Sequence, residues 1–304
     1  MCPMPQFPYP LCSKCQNQCV IWNAAKGKVL GRHNEPLCCY LDQILPTGDF
    51  DSILNQVKKR IEFASKQLHP TKDPPGEQSL KNLKGAWFEN LVAVIAWNAA
   101  IEFSREKGRK VAIFLMPNEK RMKFWELYDK DEQNALKKIF GTLSQKGVTM
   151  TLSNPDMLCI SNAPEEVFAI TSKPVAGMAL SELKRINAAY QSFKGKCRYD
   201  SIRFGVATKS TLRPDRRYQI VYEGSLVKAI TKLLGSDLGG PSYAPSYYGI
   251  VPVPIGPMDR IVFTNPTIDS LLQKDPVKAV DQIQVCGTVK EAQTTITDWL
   301  NQKT

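Results

Sequence analysis

The stretch Leu83–Phe103, LKGAWFENLVAVIAWNAAIEF, constrains the fold more than any other part of the chain. It has the length of a long helix and is apolar nearly all round. A helix of that kind has to be wrapped by other elements at the centre of a domain. Inside it stands Glu89, between Trp87-Phe88 and Leu91-Val92. A carboxylate in such surroundings is costly unless paired or bound to a metal. It either serves a site or escapes along an edge to water or a lysine.

The elements around this helix mix strands and helices without a regular βαβ rhythm, which points to an α/β or α+β domain built on one sheet. Asp49–Lys66, Lys130–Gln145, Ser181–Phe193, Glu223–Leu234 and Thr288–Leu300 read as further helices. Val111–Met116, Val148–Leu152, Met157–Ile160, Ile202–Thr208, Ile261–Thr264 and Ile283–Gly287 read as strands, and Gly239–Met258 as loop with at most one short strand. No run approaches a membrane span of about 18 apolar residues. The first residues, Met-Cys-Pro-Met-Pro-Gln, show neither the basic nor the apolar region of a signal peptide, so the chain is expected to act in the bacterial cytoplasm.

The first 45 residues are rich in Pro and Cys and read as an irregular arm preceding a domain over 46–304. Six of nine cysteines lie there: Cys2, Cys12, Cys15, Cys19, Cys38 and Cys39. Cys12-x-x-Cys15 with Cys38-Cys39 and His33 could make a structural zinc site, but a clean second Cys-x-x-Cys pair is missing. The alternative is reduced cysteines in a loop-rich extension.

Charge is concentrated elsewhere. Of a formal net charge of +11, the segment Lys184–Lys232 carries twelve Lys or Arg against three acids. Such a concentration suits a polyanion such as double-stranded DNA, or is simply a solvated basic face. Within it, Lys209 ends the strand Ile202–Thr208, and Glu223 follows fourteen residues later at an expected helix start. Pro155-Asp156 occupies a turn between two apolar strands. Two carboxylates and a lysine at strand ends suit metal-assisted phosphodiester hydrolysis: carboxylate oxygens hold Mg²⁺, and an ammonium orients water and offsets developing charge. Between Lys209 and Glu223 lies Arg213-Pro214-Asp215-Arg216-Arg217. Arginine matches guanine O6 and N7, and aspartate accepts from cytosine N4, so the cluster carries tools for reading G·C pairs. Its bland alternative is a surface ion-pair cluster. His33 and His69 are too isolated for a histidine–metal nuclease, and Tyr247–Val251 lacks the partner motif of GIY-YIG enzymes.

Pro155-Asp156, then Lys209-x13-Glu223 with Arg213-Pro214-Asp215-Arg216 nested inside, resembles the CCGG-specific type II restriction endonucleases of the PD-(D/E)XK superfamily, the NgoMIV/SgrAI-like group. The resemblance covers roughly Leu83–Leu234. It implies a restriction-endonuclease-like core, a central mixed β-sheet flanked by helices. It also implies that Asp156, Glu223 and Glu89 hold one or two Mg²⁺ and that Lys209 positions the nucleophile. Arg213, Asp215 and Arg216, with Arg217 beside them, would contact DNA. The position two before the lysine, acidic in most of the superfamily, is Ala207; in this group the helix-borne Glu223 is thought to reach the same place. The expected activity is Mg²⁺-dependent cleavage of a palindrome with a CCGG core before its first C, leaving four-base 5′ overhangs. A palindrome requires a homodimer at least, and the group often forms homotetramers. A CCNGG core, or sequence-specific binding without cleavage, are the rivals.

Overall fold

In the computed structural model, residues 19–41, 44–117, 123–147, 153–241, 243–264, 266 and 277–303 are described. The expected strand Val148–Leu152 lies outside them.

Five strands form the central sheet in the order β3 (Val111–Leu115), β4 (Met157–Ser161), β5 (Ile202–Thr208), β6 (Ser246–Val251) and β7 (Gln282–Val285). The first two pairings are antiparallel and the last two parallel, so the sheet is mixed. All residues of β3, β4 and β6 are buried, as expected of strands covered on both faces.

The helices are α1 (Glu35–Leu41), α2 (Phe50–Leu68), α3 (Glu77–Lys107), α4 (Lys130–Gln145), α5 (Leu180–Phe193), α6 (Pro214–Asp237), α7 (Pro257–Phe263) and α8 (Val289–Lys303). Helix α3 is the long apolar helix, packed on β3 and α8 and stopped by Gly108 in the left-handed conformation at φ +65°. It begins at Glu77, six residues before the apolar run. Side-chain caps fix other starts: Asp49 accepts from the Ser52 amide at α2, and Asp129 from the amides of Asp131 and Glu132 at α4.

Strand β6 shows which helix covers which face, because successive side chains point to opposite sides. Tyr248 stacks on Trp299 of α8 with ring centroids 4.3 Å apart. Its neighbour Tyr247 turns to α6, into a slot between Gly205 of β5 and Gly224. A Cβ on Gly205 would come within 2.8 Å of the Tyr247 ring, and one on Gly224 within 2.2 Å of the Ala279 carbonyl oxygen.

Three expectations are corrected. The described part of the Cys/Pro-rich stretch is not irregular: β1 (Val20–Asn23) and β2 (Lys28–Gly31) form a hairpin, α1 follows, and Val20, Val29, Leu37 and Cys39 join the core. Ile261–Thr264 is not a strand, since Gly256-Pro257 starts α7, with Asp259 Oδ2 accepting from the Gly256 amide at 2.9 Å. Gly239–Met258 holds the one short strand allowed for it, β6, and that strand lies inside the sheet between β5 and β7. Glu223 does not start its helix: Arg213 is the N-cap and Pro214 the first residue, so Glu223 lies mid-helix, fully buried.

Candidate active site

The sheet's antiparallel and parallel halves meet at β5, and the candidate residues gather at its C-terminal end. Asp156 immediately precedes β4, which runs antiparallel to β5, so the start of one strand lies beside the end of the other. Its Oδ2 accepts three hydrogen bonds, from the Thr208 amide (2.6 Å), Thr208 Oγ1 (3.2 Å) and Lys209 Nζ (2.7 Å). Its Oδ1 accepts none from the hydrogen-bond donors among the described residues.

Glu223 reaches the same place from α6. Its Oε1 accepts from Ser153 Oγ and from Gln219 Nε2, each at 2.8 Å, and its Oε2 from Tyr247 Oη at 2.9 Å. A carboxylate offers about four lone-pair positions, so three donors leave about one. The Tyr247 phenol is held well above its ordinary pKa, first by burial and then by Glu223, so it stays protonated and serves as a donor. Its slot depends on Gly205 and Gly224, where any side chain would displace the ring.

The electrostatics tie Glu89 to this group. Burial first, then the charges of Asp156 and Glu223, push its carboxyl up to about 8, against the pull of Lys209. Burial and Asp156 also raise Glu223, opposed by Lys209 and the Gln219 and Ser153 hydrogen bonds. Burial works against the charge on Lys209, yet Asp156, Glu223 and Glu89 together hold its pKa above the ordinary lysine value. Three carboxylates thus act on one ammonium, and burial makes two of them resist ionising. The pocket is short of positive charge.

That deficit and an all-oxygen donor set fit a hard divalent cation, with Asp156 Oδ1 and the remaining position on Glu223 as ligands and Glu89 next in line. The fit is to a site completed by water and substrate oxygens, because among the described residues no three His, Cys, Asp or Glu side chains converge as a ready-made metal cage. The same holds for the zinc expectation. Cys38 is pushed up to about 12, chiefly by burial, and Cys39 Sγ accepts from Arg60 Nη1 at 3.0 Å, while Cys12 and Cys15 lie outside the described residues.

The arginine cluster forms the start of α6. Arg213 is half exposed and Arg216 partly exposed around Asp215, at 3.2 and 3.8 Å from its Oδ2. Arg217 turns inward instead, donating to the Leu212 carbonyl at 3.0 Å and pairing with Asp259 of α7. Arg216 Nη1 also donates to Gln219 Oε1 at 3.0 Å.

Sequence reading missed Ser153, Thr208, Gln219 and Tyr247. Gln219 lies four residues before Glu223, a spacing that signals contact once the helix is known to start at Pro214. The other three reach the site through the tertiary fold and leave no local signal.

A model of the Cfr10I/Bse634I restriction endonuclease family matches residues 19–302. The chain is 26% identical over 187 residues to the type II restriction enzyme Cfr10I of Citrobacter freundii, an alignment covering 60% of this chain and 63% of that enzyme. The structure resembles that of the type IIF restriction endonuclease Bse634I with cognate DNA, with a TM-score of 0.83 and 24% identity, covering 96% of this chain and 99% of that one. A second Bse634I structure gives a TM-score of 0.81 at 24% identity, over 93% and 97%.

Proposed function

From a chain that belongs to the Cfr10I/Bse634I restriction endonuclease family, we propose a type II site-specific deoxyribonuclease that hydrolyses double-stranded DNA at a palindrome with a CCGG core. The family match names Cfr10I/Bse634I rather than the NgoMIV/SgrAI-like group suggested by the motifs, so the CCGG core is inferred from the Arg-Pro-Asp-Arg segment. The observation that carries the reading is the meeting of Asp156, Lys209 and Glu223 at the end of β5, on the strand and helix that also present Arg213–Arg216.

In this reading Asp156 and Glu223, with Glu89 assisting, hold one or two Mg²⁺. The metal, when bound, supplies Lewis acidity and a lowered pKa for its water. The chain does the rest. Lys209, fixed by Asp156, directs an ammonium proton at the attacking water and offsets charge building on the phosphate oxygens. Thr208 holds Asp156 in place, and Ser153, Gln219 and Tyr247 hold Glu223. Arg213 and Arg216 read guanines and Asp215 a cytosine. Arg217 braces the segment against α7.

A palindrome calls for at least a homodimer, and a homotetramer satisfies the same symmetry. The exposed Tyr218 of α6 and Met258 and Ile261 of α7 give the reading segment an apolar flank suited to a second copy. The test is a plasmid digest in Mg²⁺ with the ends sequenced. Cuts before the first C of CCGG, leaving four-base 5′ overhangs, support the reading. Five-base overhangs would mean a CCNGG core, and intact plasmid at every metal concentration would leave only DNA binding.

A further inference from the structure

Gln219 connects two groups that have separate tasks in the proposed site. It lies three residues after Arg216 and four before Glu223, so all three side chains share one face of α6. Its Oε1 accepts from Arg216 Nη1 at 3.0 Å, and its Nε2 donates to Glu223 Oε1 at 2.8 Å. The chemistry of the neighbours sets the amide's orientation. A guanidinium can only donate, so the amide oxygen must face it, and the amide nitrogen is then left for the carboxylate. The chain therefore runs without a gap from a base-reading guanidinium to a metal-holding carboxylate.

We infer that Gln219 is a positioning residue through which base reading by Arg216 controls the placement of Glu223; this rests on the assignment of that site given above. A guanidinium has five N–H donors, and bidentate contact with a guanine uses two, so Arg216 can hold a base and Gln219 together. With the cognate base in place, Arg216 is fixed from outside and its contact anchors the amide. Gln219 then holds Glu223 in one orientation. At a wrong base pair Arg216 loses its outer anchor, the amide is free to turn, and Glu223 keeps only Ser153 and Tyr247. Near-cognate DNA that does bind is then cut more slowly than its weaker binding alone dictates. Specificity is exercised a second time, in the chemical step.

The test uses the full-length protein, a duplex containing CCGG, and duplexes in which one or other C·G pair of the half-site is replaced. Binding is measured in calcium buffer and single-turnover cleavage in Mg²⁺. For wild type, the cognate to near-cognate ratio in cleavage rate should exceed the ratio in binding. In Gln219→Met, which keeps the shape but neither hydrogen bond, cognate affinity in calcium should persist. Its cognate cleavage rate should fall about tenfold or more, the scale of one lost hydrogen bond to a charged group, and its two ratios should become equal. Gln219→Glu keeps the contact with Arg216 but presents a carboxylate to Glu223, and should show the same loss.

Equal ratios in wild type, or an undiminished excess in Gln219→Met, overturn the relay while leaving the endonuclease reading intact. Loss of cognate binding in both variants overturns it as well, since Gln219 would then support reading and not the link. Wild type that binds but never cuts these duplexes overturns the relay together with the reading on which it rests.

Discussion

Two buried lysines of this protein make the same contact and face opposite electrostatic conditions. Lys209 meets Asp156 at 2.7 Å, and Lys228 meets Asp281 at 2.7 Å. Around Lys228 the account is closed: the ammonium also donates to the Lys278 carbonyl, and Asp281 takes the Tyr247 amide. With only one carboxylate against its burial, Lys228 is held below the ordinary lysine pKa. Around Lys209 the charges of three carboxylates act, Asp156 in contact and Glu223 and Glu89 beyond it, and its pKa is held above the ordinary value despite burial. The first pair is a brace between α6 and the start of β7. The second is an ion pair on which two further carboxylates act, and in the proposed function that surplus receives a cation and a phosphate. Ion-pair geometry alone would not separate the two. Tyr247 joins them physically, its amide on Asp281 and its hydroxyl on Glu223.

If the comparison is right, Lys228→Met should damage folding more than chemistry. Breaking a buried pair costs about 3 kcal/mol, the low end of the usual range because Asp281 is partly exposed. Urea unfolding would show this, while the cleavage rate of folded molecules should fall far less than it does on loss of Lys209. A Lys228→Met protein of wild-type stability would break the distinction.

A smaller effect sharpens it. Gly224→Ala drives a methyl group toward the Ala279 carbonyl and the Tyr247 ring, the element shared by the two regions. Overpacking of this kind costs about 2 kcal/mol. Because Tyr247 carries Glu223, the variant should lose cleavage rate as well as stability, both measurable on one preparation. Loss of stability with an unchanged rate would separate Tyr247 from the site.

Where local rules governed, the sequence was legible. Ile202–Thr208 and Lys130–Gln145 form the expected strand and helix with the same bounds; the strand is an apolar run, and the structure shows Asp129 capping the helix. The spacing of Asp156, Lys209 and Glu223 was legible because each sits at or near the end of a recognisable strand or on the helix that follows. Failures came where polar residues masked a helix or apolar ones imitated a strand. Arg213–Arg217 reads as loop because four of its five residues are charged, yet Pro214 starts α6 there. Ile261-Val262-Phe263 reads as strand because its residues favour one, but Gly256-Pro257 and Asp259 fix a helix start just before it. Ser153 and Tyr247 are seventy and twenty-four residues from Glu223, and only the folded sheet brings them to it.

The central claim is that the Lys209 ammonium does chemistry while its counterpart at Lys228 does not. The most direct measurement is single-turnover cleavage of a CCGG duplex by Lys209→Met in Mg²⁺, with specific binding of the same duplex followed in calcium. Losing one preorganised electrostatic donor slows an enzyme by about 10²–10³. The account predicts a loss at least that large with cognate affinity intact. A Lys209→Met protein that cuts as fast as wild type would contradict it.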